Sequence, residues 1–158
     1  MRFQFLLLIC LPLMVARCSV KKSDAYILPR NFVGFVLIIH CNEFTQQTDR
    51  DTEGDRVLYV PASGILKTEF IREDNLKYID LVYYEFQSEK NKIPVITDPD
   101  HYSSNKVNCT IASVGCTKNK NGDEIQFTVF FVGTKQQIHQ YQIDFEKFNF
   151  ENVSCNKK

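Results

Sequence analysis

Short apolar segments, separated by turn residues, constrain the fold of this chain more than any other feature. The clearest is Val33–His40, whose β-branched residues are typical of a buried central strand. The other segments of this kind are Arg56–Val60, Ile65–Ile71, Tyr78–Phe86, Ile93–Thr97, Val107–Val114, Ile125–Val132 and Phe145–Val153. About seven or eight short strands with regular turn signals predict a mostly β domain. We expect a single antiparallel β-sandwich, either Ig-like or transthyretin-like.

Local signals refine this pattern in the second half of the chain. Asn121-Gly122 favours a hairpin that pairs Val107–Val114 with Ile125–Val132. Thr134 and Gln137 match a capping box, which predicts one short helix at residues 135–142. In the last segment, phenylalanines alternate with polar residues, and this spacing indicates an edge strand.

The N-terminal segment has the form of a signal peptide. Arg2 precedes Phe5–Val15, an apolar stretch within the length of about 7–15 residues that is usual for such leaders. A bilayer span needs about 20 apolar residues, so this stretch is too short for a permanent anchor. We therefore predict a signal peptide at residues 1–18 and a single β-rich domain at residues 19–158.

The end of the leader leaves two hypotheses open. Leu13–Cys18 resembles the lipobox of bacterial lipoproteins, in which the cysteine is acylated, although Arg17 stands where that motif has Gly or Ala. Cleavage after Cys18 would instead release the domain. The chain is accordingly predicted to be exported, either to the bacterial cell envelope or to the extracellular space. Contact with the membrane is expected only through a lipid anchor on Cys18.

Charge excludes one class of partner. Without the leader the chain has 17 basic and 19 acidic residues, a net charge of −2. Nucleic-acid binding needs clustered basic residues that neutralise phosphates, so no nucleic-acid partner is expected. The expected partner is another envelope or extracellular protein, and no cofactor is predicted.

Cysteines give a second constraint on the predicted exported domain. Cys10 leaves with the leader and Cys18 is either acylated or removed, which leaves four: Cys41, Cys109, Cys116 and Cys155. An even number in an oxidising compartment predicts disulfides. In an extended strand Cys109 and Cys116 would lie roughly 23 Å apart, too far for a mutual bridge. We expect Cys41 and Cys155 each to bond to one member of this middle pair.

The sequence offers little catalytic chemistry. It contains no nucleophile elbow, zinc-protease helix or phosphate-binding loop. The histidines His40, His101 and His139 are far apart in the sequence. A zinc site is disfavoured because the cysteines lack the usual close spacing. No catalytic residue is assigned, and the chain is predicted not to be an enzyme.

One acidic segment has the spacing of a metal loop. Its oxygen donors alternate with other residues at Asp49, Asp51, Glu53 and Asp55. This pattern is similar to the first half of a calcium-binding EF-hand loop. The twelfth position, which should be a bidentate Glu, is Val60. A weak calcium site and a solvated acidic loop therefore remain the two alternatives.

Three segments, taken in order, carry a family resemblance. They are Tyr26–Gly34, Val60–Thr68 and Phe130–Lys135. Together they resemble a family of bacterial exported proteins and lipoproteins of unknown function, with a Tyr-Leu-Ile-Pro-x-x-Tyr-x-Gly start, a central Ile-Pro-x-x-Gly-Ile-Leu and a late Val-Gly-Thr-Lys. Phe32 replaces the second Tyr, and Val60 replaces the Ile. The resemblance implies a secreted or lipid-anchored bacterial protein and implies no activity.

These features support three hypotheses about function. The first is a non-catalytic interaction or envelope-associated module that binds a protein through an edge strand such as Phe145–Val153. The second is a small-ligand or glycan-binding module, in which aromatic side chains of Tyr78–Phe86 line an exposed face. The third is a secreted enzyme whose site assembles from residues distant in sequence.

Overall fold

The computed structural model describes residues 24–41, 49–50, 56–68, 81–85, 88–111 and 113–155. The predicted signal peptide at residues 1–18, including Cys18, lies outside the described residues, and so do Asp51, Glu53 and Asp55. Asp49 belongs to a described strand, but its side chain is not described. Within the described ranges, no helix has both the length and the apolar character that crossing a membrane requires.

Ten strands and one α-helix form the described part of the chain. The strands are β1 Asp24–Leu28, β2 Gly34–His40, β3 Asp49–Arg50, β4 Arg56–Tyr59, β5 Ile65–Thr68, β6 Leu81–Tyr84, β7 Val95–Ile96, β8 Asn108–Thr110, β9 Ser113–Lys118 and β10 Glu124–Gly133. The helix, α1, is Lys135–Glu146, and short 3-10 helices occur at Glu89–Asn91, Pro99–His101 and Phe150–Asn152. The prediction of a mostly β protein is therefore confirmed.

The first sheet contains parallel strands, so the prediction of a purely antiparallel fold is wrong. Its order is β3-β4-β1-β6, and β1 runs parallel to both of its neighbours. Only the β3–β4 pair is antiparallel. The five residues of β1 end just before Pro29, and this short segment is not among the strands predicted from the sequence.

The second sheet is mixed and is organised around β10. Its order is β5-β2-β10-β8-β7, and β9 also pairs with β10. The longest pairing is antiparallel and joins β10 to β2, from Gln126 opposite His40 to Val132 opposite Gly34. The β2–β5 and β7–β8 pairs are parallel.

The two sheets share one hydrophobic core. Tyr26 and Leu28 of the first sheet belong to the same buried cluster as Val36, Ile38 and Phe130 of the second. The rings of Tyr26 and Phe130 lie 5.3 Å apart, edge to face. Because side chains alternate along a strand, residues next to these in sequence point to the opposite faces of the sheets. The Ig-like or transthyretin-like type of this arrangement stays a prediction.

The opposite face of the second sheet packs against α1 and the C-terminal residues. Leu37, Ile39 and Phe131 of the sheet share a buried cluster with Ile138 of α1 and Val153. The rings of the half-buried aromatic residues around it are in mutual contact, namely Phe35, Phe127, Phe145, Phe148 and Phe150.

The predicted helix is present and longer than expected. Its capping box forms as predicted, and the backbone N–H of Thr134 donates to Oε1 of Gln137 at 2.9 Å. The predicted edge strand Phe145–Val153 is wrong, because the helix continues through Glu146 and Phe150–Asn152 forms a 3-10 helix. Phe148 and Phe150 alternate in sequence, yet both contact Phe145 in a single aromatic cluster.

The predicted hairpin partner of β10 is divided into two strands. Cys109 lies opposite Val132, whereas Ser113 lies opposite Val129, so four steps along one side match three along the other. One extra residue interrupts the ladder, as in a β-bulge. The Oγ1 atom of Thr110 accepts a hydrogen bond from the backbone N–H of Phe131 at 3.0 Å beside this interruption.

Candidate functional site

The disulfide among the described residues links an unexpected pair. Cys41 and Cys155 are bonded, with their Cα atoms 5.2 Å apart and a sequence separation of 114. Cys109 and Cys116 are free. The prediction that Cys41 and Cys155 would each bond to one of these two is therefore wrong.

Strand alternation explains this outcome. Cys41 follows β2 and belongs to the cluster on the α1 side of the second sheet, where Cys155 packs. Cys109 points from the same sheet into the core between the two sheets. A bridge from Cys41 to Cys109 would have to pass through the sheet, so the cysteines cannot gather as a disulfide network or a zinc site.

The two free thiols occupy very different environments. Cys109 is fully buried, and burial raises the pKa of its thiol. Cys116 is exposed on β9, where desolvation and a hydrogen bond to the Glu124 carboxylate raise the pKa of its thiol. Nucleophilic cysteines need the opposite shift, because the thiolate is the reactive form.

The histidines lie on three separate elements. His40 ends β2, and its Nε2 atom lies 2.9 Å from Oγ1 of Thr128. His101 lies on an exposed 3-10 helix, with Nδ1 3.0 Å from Oδ2 of Asp98. The backbone N–H of Asp100 and, to a lesser extent, His101 lower the pKa of Asp98. His139 is exposed on α1.

The acidic segment predicted as a weak calcium site lies almost entirely outside the described residues. Only the backbone of Asp49 is described, in β3, and the other candidate ligands Asp51, Glu53 and Asp55 lie outside the described residues. Among the residues that are described, no group of three or more His, Cys, Asp or Glu side chains could hold a metal ion.

The predicted aromatic face has two described tyrosines, one buried and one half-buried, and its Tyr78 and Phe86 lie outside the described residues. Tyr83 is buried with Ala25, Ile27 and Val57 on the outer face of the first sheet. Tyr84 is half-buried, and its hydroxyl donates to the backbone carbonyl of Phe32 at 2.9 Å. Burial also raises the pKa of Tyr84. These contacts do not supply the exposed stacking surface that glycan binding needs.

The first two segments of the family resemblance meet at one end of the domain. The backbone N–H of Phe32 donates to the carbonyl of Pro29 at 3.0 Å, and that of Gly64 donates to the carbonyl of Pro61 at 2.9 Å. Gly64 has a φ of 74°, and a Cβ atom there would lie 2.5 Å from the carbonyl oxygen of Phe35 and 3.1 Å from the Phe32 ring. Glycine is therefore required where the two turns touch.

The third segment joins the other two through β10. Val132 lies opposite Gly34, and Phe130 lies opposite Val36. Gly133 ends β10, and a Cβ atom there would lie 3.0 Å from Cβ of Gln137 in the first turn of α1. The residues that carry the resemblance thus shape turns, strand pairs and the start of the helix.

The outer edge of β9 is the best candidate for a binding site. Among the described residues, the six residues of β9 pair only with β10. Val114 is 39% exposed, and Cys116 and Lys118 are exposed on the same face of the strand. Such an edge presents backbone N–H and C=O groups that another strand could pair with. The sequence signal for this strand was the alternation from Val114 to Lys118, whereas the predicted hairpin ended its first strand at Val114.

Comparison with known protein families assigns this domain to one of them. A family model described as "Family of unknown function (DUF6843)" matches residues 20–156. The chain belongs to DUF6843. The prediction that the chain belongs to a family of unknown function is confirmed. The matched range of DUF6843 includes every described residue from Asp24 to Cys155, and therefore both sheets, α1 and the disulfide.

Comparison with individual proteins adds one distant structure to the DUF6843 match. A 2.75 Å crystal structure described as "Putative Lipoprotein from Bacillus anthracis" is 18% identical, with 70% of this chain and 69% of that chain covered and a TM-score of 0.38. No curated protein sequence matches this member of DUF6843.

Proposed function

We propose that this chain is an exported, non-catalytic DUF6843 module that binds another protein outside the cytoplasm. The disulfide between Cys41 and Cys155 carries the proposal. Structural disulfides persist in oxidising compartments and are rare in the cytosol, where thiols are kept reduced. The signal-peptide pattern at residues 1–18 supports the same location.

Attachment to the bacterial envelope is the favoured form of export. If Cys18 is acylated, five residues separate it from Asp24 at the start of β1. A segment of that length spans at most about 20 Å, so the domain would lie close to the membrane. Release after Cys18 would give a secreted domain with the same fold. In both forms the two facing sheets support a β-sandwich architecture.

The proposed partner site is the outer edge of β9, which pairs with no other strand among the described residues. Strand addition uses backbone hydrogen bonds for affinity and alternate side chains for specificity. The exposed side chain of Val114 supplies apolar contact, and Lys118 supplies charge at the end of the strand. The partner is therefore expected to be a protein that contributes an extended segment.

The absence of catalysis is supported by the state of the thiols. Burial raises the pKa of Cys109, and the environment of Cys116 raises the pKa of its thiol as well, so both stay protonated at neutral pH. A cysteine-based enzyme needs a thiolate. The glycan-binding alternative is not proposed, because Tyr83 is buried and Tyr84 is half-buried against the core, while Tyr78 and Phe86 of the predicted face lie outside the described residues.

The exposed Cys116 thiol allows a direct test of location in intact host cells. A charged maleimide that does not cross the cytoplasmic membrane should label Cys116 before the cells are lysed. The Cys116→Ser variant is the matched control and should take up no label in intact cells, because Cys109 is buried. Labelling that requires lysis would place the domain in the cytoplasm and contradict the proposal.

A further inference from the structure

The last nine described residues form a strap across the α1 side of the second sheet. This C-terminal strap is Lys147–Cys155, which directly follows α1. Its N-terminal end is joined to the helix by the chain. Its last residue, Cys155, is joined by the disulfide to Cys41, which directly follows β2. The strap is thus fixed at both ends, once by the chain and once by the disulfide.

Hydrogen bonds connect the strap to the rest of the domain. Nδ2 of Asn119 donates to the carbonyl of Val153 at 3.0 Å, and the backbone N–H of Lys120 donates to the carbonyl of Glu151 at 3.2 Å. Nζ of Lys67 donates to the carbonyl of Ser154 at 2.6 Å. Each of these hydrogen bonds replaces one that the same groups would otherwise make to water, so they hold the strap weakly compared with a covalent bond.

The strap covers aromatic side chains of the sheet. The ring of Phe150 lies 4.9 Å from that of Phe127, and the ring of Phe148 lies 6.0 Å from that of Phe35. Val153 packs in the same cluster and is 9% exposed. Removal of the strap would expose this part of the sheet while α1 remained attached to it through Ile138.

The two sulfur atoms differ in access. Cys41 is 2% exposed, whereas Cys155 is only partly buried. A thiolate from a dithiol reductant would therefore attack Sγ of Cys155, form a mixed disulfide there and expel the Cys41 thiolate, which takes up a proton. The second thiol of the reductant then attacks the mixed disulfide, which releases Cys155 as a thiol and leaves the reductant oxidised.

We infer that the bond between Cys41 and Cys155 is a redox latch, which a dithiol reductant opens at Cys155 to release the strap while the domain stays folded. Local release is favoured because the described core between the sheets contains no strap residue, and only Val153 of the nine strap residues is buried in the other core cluster. The strap also lies at the end of the described chain, so its departure breaks no strand pairing of β2 or β10. Segments with few buried residues open at a lower free energy than the one that unfolds the whole domain.

Hydrogen–deuterium exchange of the exported chain, with and without dithiothreitol, tests this inference. Reduction should accelerate amide exchange in the strap by roughly tenfold or more, while β2 and β10 change by less than about twofold. The Cys41→Ser/Cys155→Ser double variant should show the fast strap without reductant and no further change with it. If that variant does not fold, the comparison of amide exchange in reduced and oxidised wild-type protein tests the inference on its own.

Two results would overturn the latch. One is unchanged exchange in the strap after complete reduction. The other is an equal acceleration in the strap, β2 and β10, which would mean that reduction unfolds the whole domain. The direction of attack is tested separately with the monothiol glutathione. A mixed disulfide on Cys155 supports the mechanism, and one on Cys41 contradicts it.

Discussion

The side-chain amide of Asn119 joins the turn between β9 and β10 to the C-terminal strap. Its Nδ2 atom donates to the carbonyl of Val153 at 3.0 Å, and its Oδ1 atom accepts hydrogen bonds from the backbone N–H groups of Asn121 and Asp123, each at 2.9 Å. Asn119 is 7% exposed, so its polar atoms are satisfied by protein groups in place of water.

Asn119→Ala should destabilise the domain by about 1–3 kcal/mol, because it removes the hydrogen bonds that this buried side chain makes to the turn and to the carbonyl of Val153. The free energy of unfolding in urea measures this effect. Asn121→Ala is the matched control, because Asn121 is exposed in the same turn, and it should cost less than about 0.5 kcal/mol. Equal effects of the two substitutions would contradict the role assigned to Asn119.

Gly64→Ala should be more destabilising than Gly122→Ala. Both glycines have positive φ angles, 74° and 85°. A Cβ atom at Gly64 would lie 2.5 Å from the Phe35 carbonyl oxygen, whereas one at Gly122 would meet no atom within 4 Å. Gly122→Ala should cost only the strain of the left-handed region, about 1 kcal/mol.

Thermal or urea unfolding of both variants separates backbone strain from the clash. Gly64→Ala should lose about 2–4 kcal/mol of stability, because it adds the cost of displacing the chain near Phe35 to the same backbone strain. If the two variants unfold at the same denaturant concentration, the close contact between the two turns is not what requires glycine at position 64.

The reactivity of Cys116 should depend on Glu124. Because hydrogen bonding to the Glu124 carboxylate raises the pKa of the thiol, Glu124→Gln should lower that pKa and increase the thiolate fraction at mildly alkaline pH. The rate of alkylation by iodoacetamide, followed from about pH 7 to about pH 10, should therefore rise at lower pH in the variant.

Lys118→Gln provides the opposite control, because Lys118 lowers the pKa of Cys116. Its alkylation profile should move to higher pH than that of the unaltered protein. Cys109 should stay unmodified in the folded domain at every pH tested, since it is fully buried. Profiles that shift in the same direction for both variants would contradict this electrostatic account.

Binding through the edge of β9 should be sensitive to charge at Val114. Val114→Lys places a second positive charge on the exposed face of the edge strand, near Lys118, and such charges block strand addition. Capture of exported host proteins by immobilised domain should lose specific partners with this variant. Val33→Lys is the control, because Val33 is also exposed but lies in the turn before β2, and it should retain them.

Apolar patterning predicted the strands that form the centre of the second sheet. Val33–His40 and Ile125–Val132 are long β-branched and aromatic runs, and they pair as β2 and β10. The helix start was predictable because a capping box uses residues close in sequence, Thr134 and Gln137. Local chemistry was sufficient in these places.

Long-range geometry was not predictable from the same signals. The parallel pairing of β1 depends on which distant strands flank it, and no local pattern encodes that choice. The disulfide depends on which face of a sheet each cysteine occupies, and the extra residue after Thr110 changes the register there. The alternation of Phe148 and Phe150 arose from a 3-10 turn against one aromatic cluster, where a strand was expected.

The intact mass of the chain purified from its own host, alkylated under denaturing conditions before and after reduction, tests the central claim most directly. The account predicts loss of the leader and two alkyl groups before reduction, on Cys109 and Cys116, which increase to four after reduction. A mass increment on Cys18 would identify the lipid-anchored form. A chain that retains Met1, or that takes up four alkyl groups on its later cysteines without reduction, would contradict export and the disulfide together.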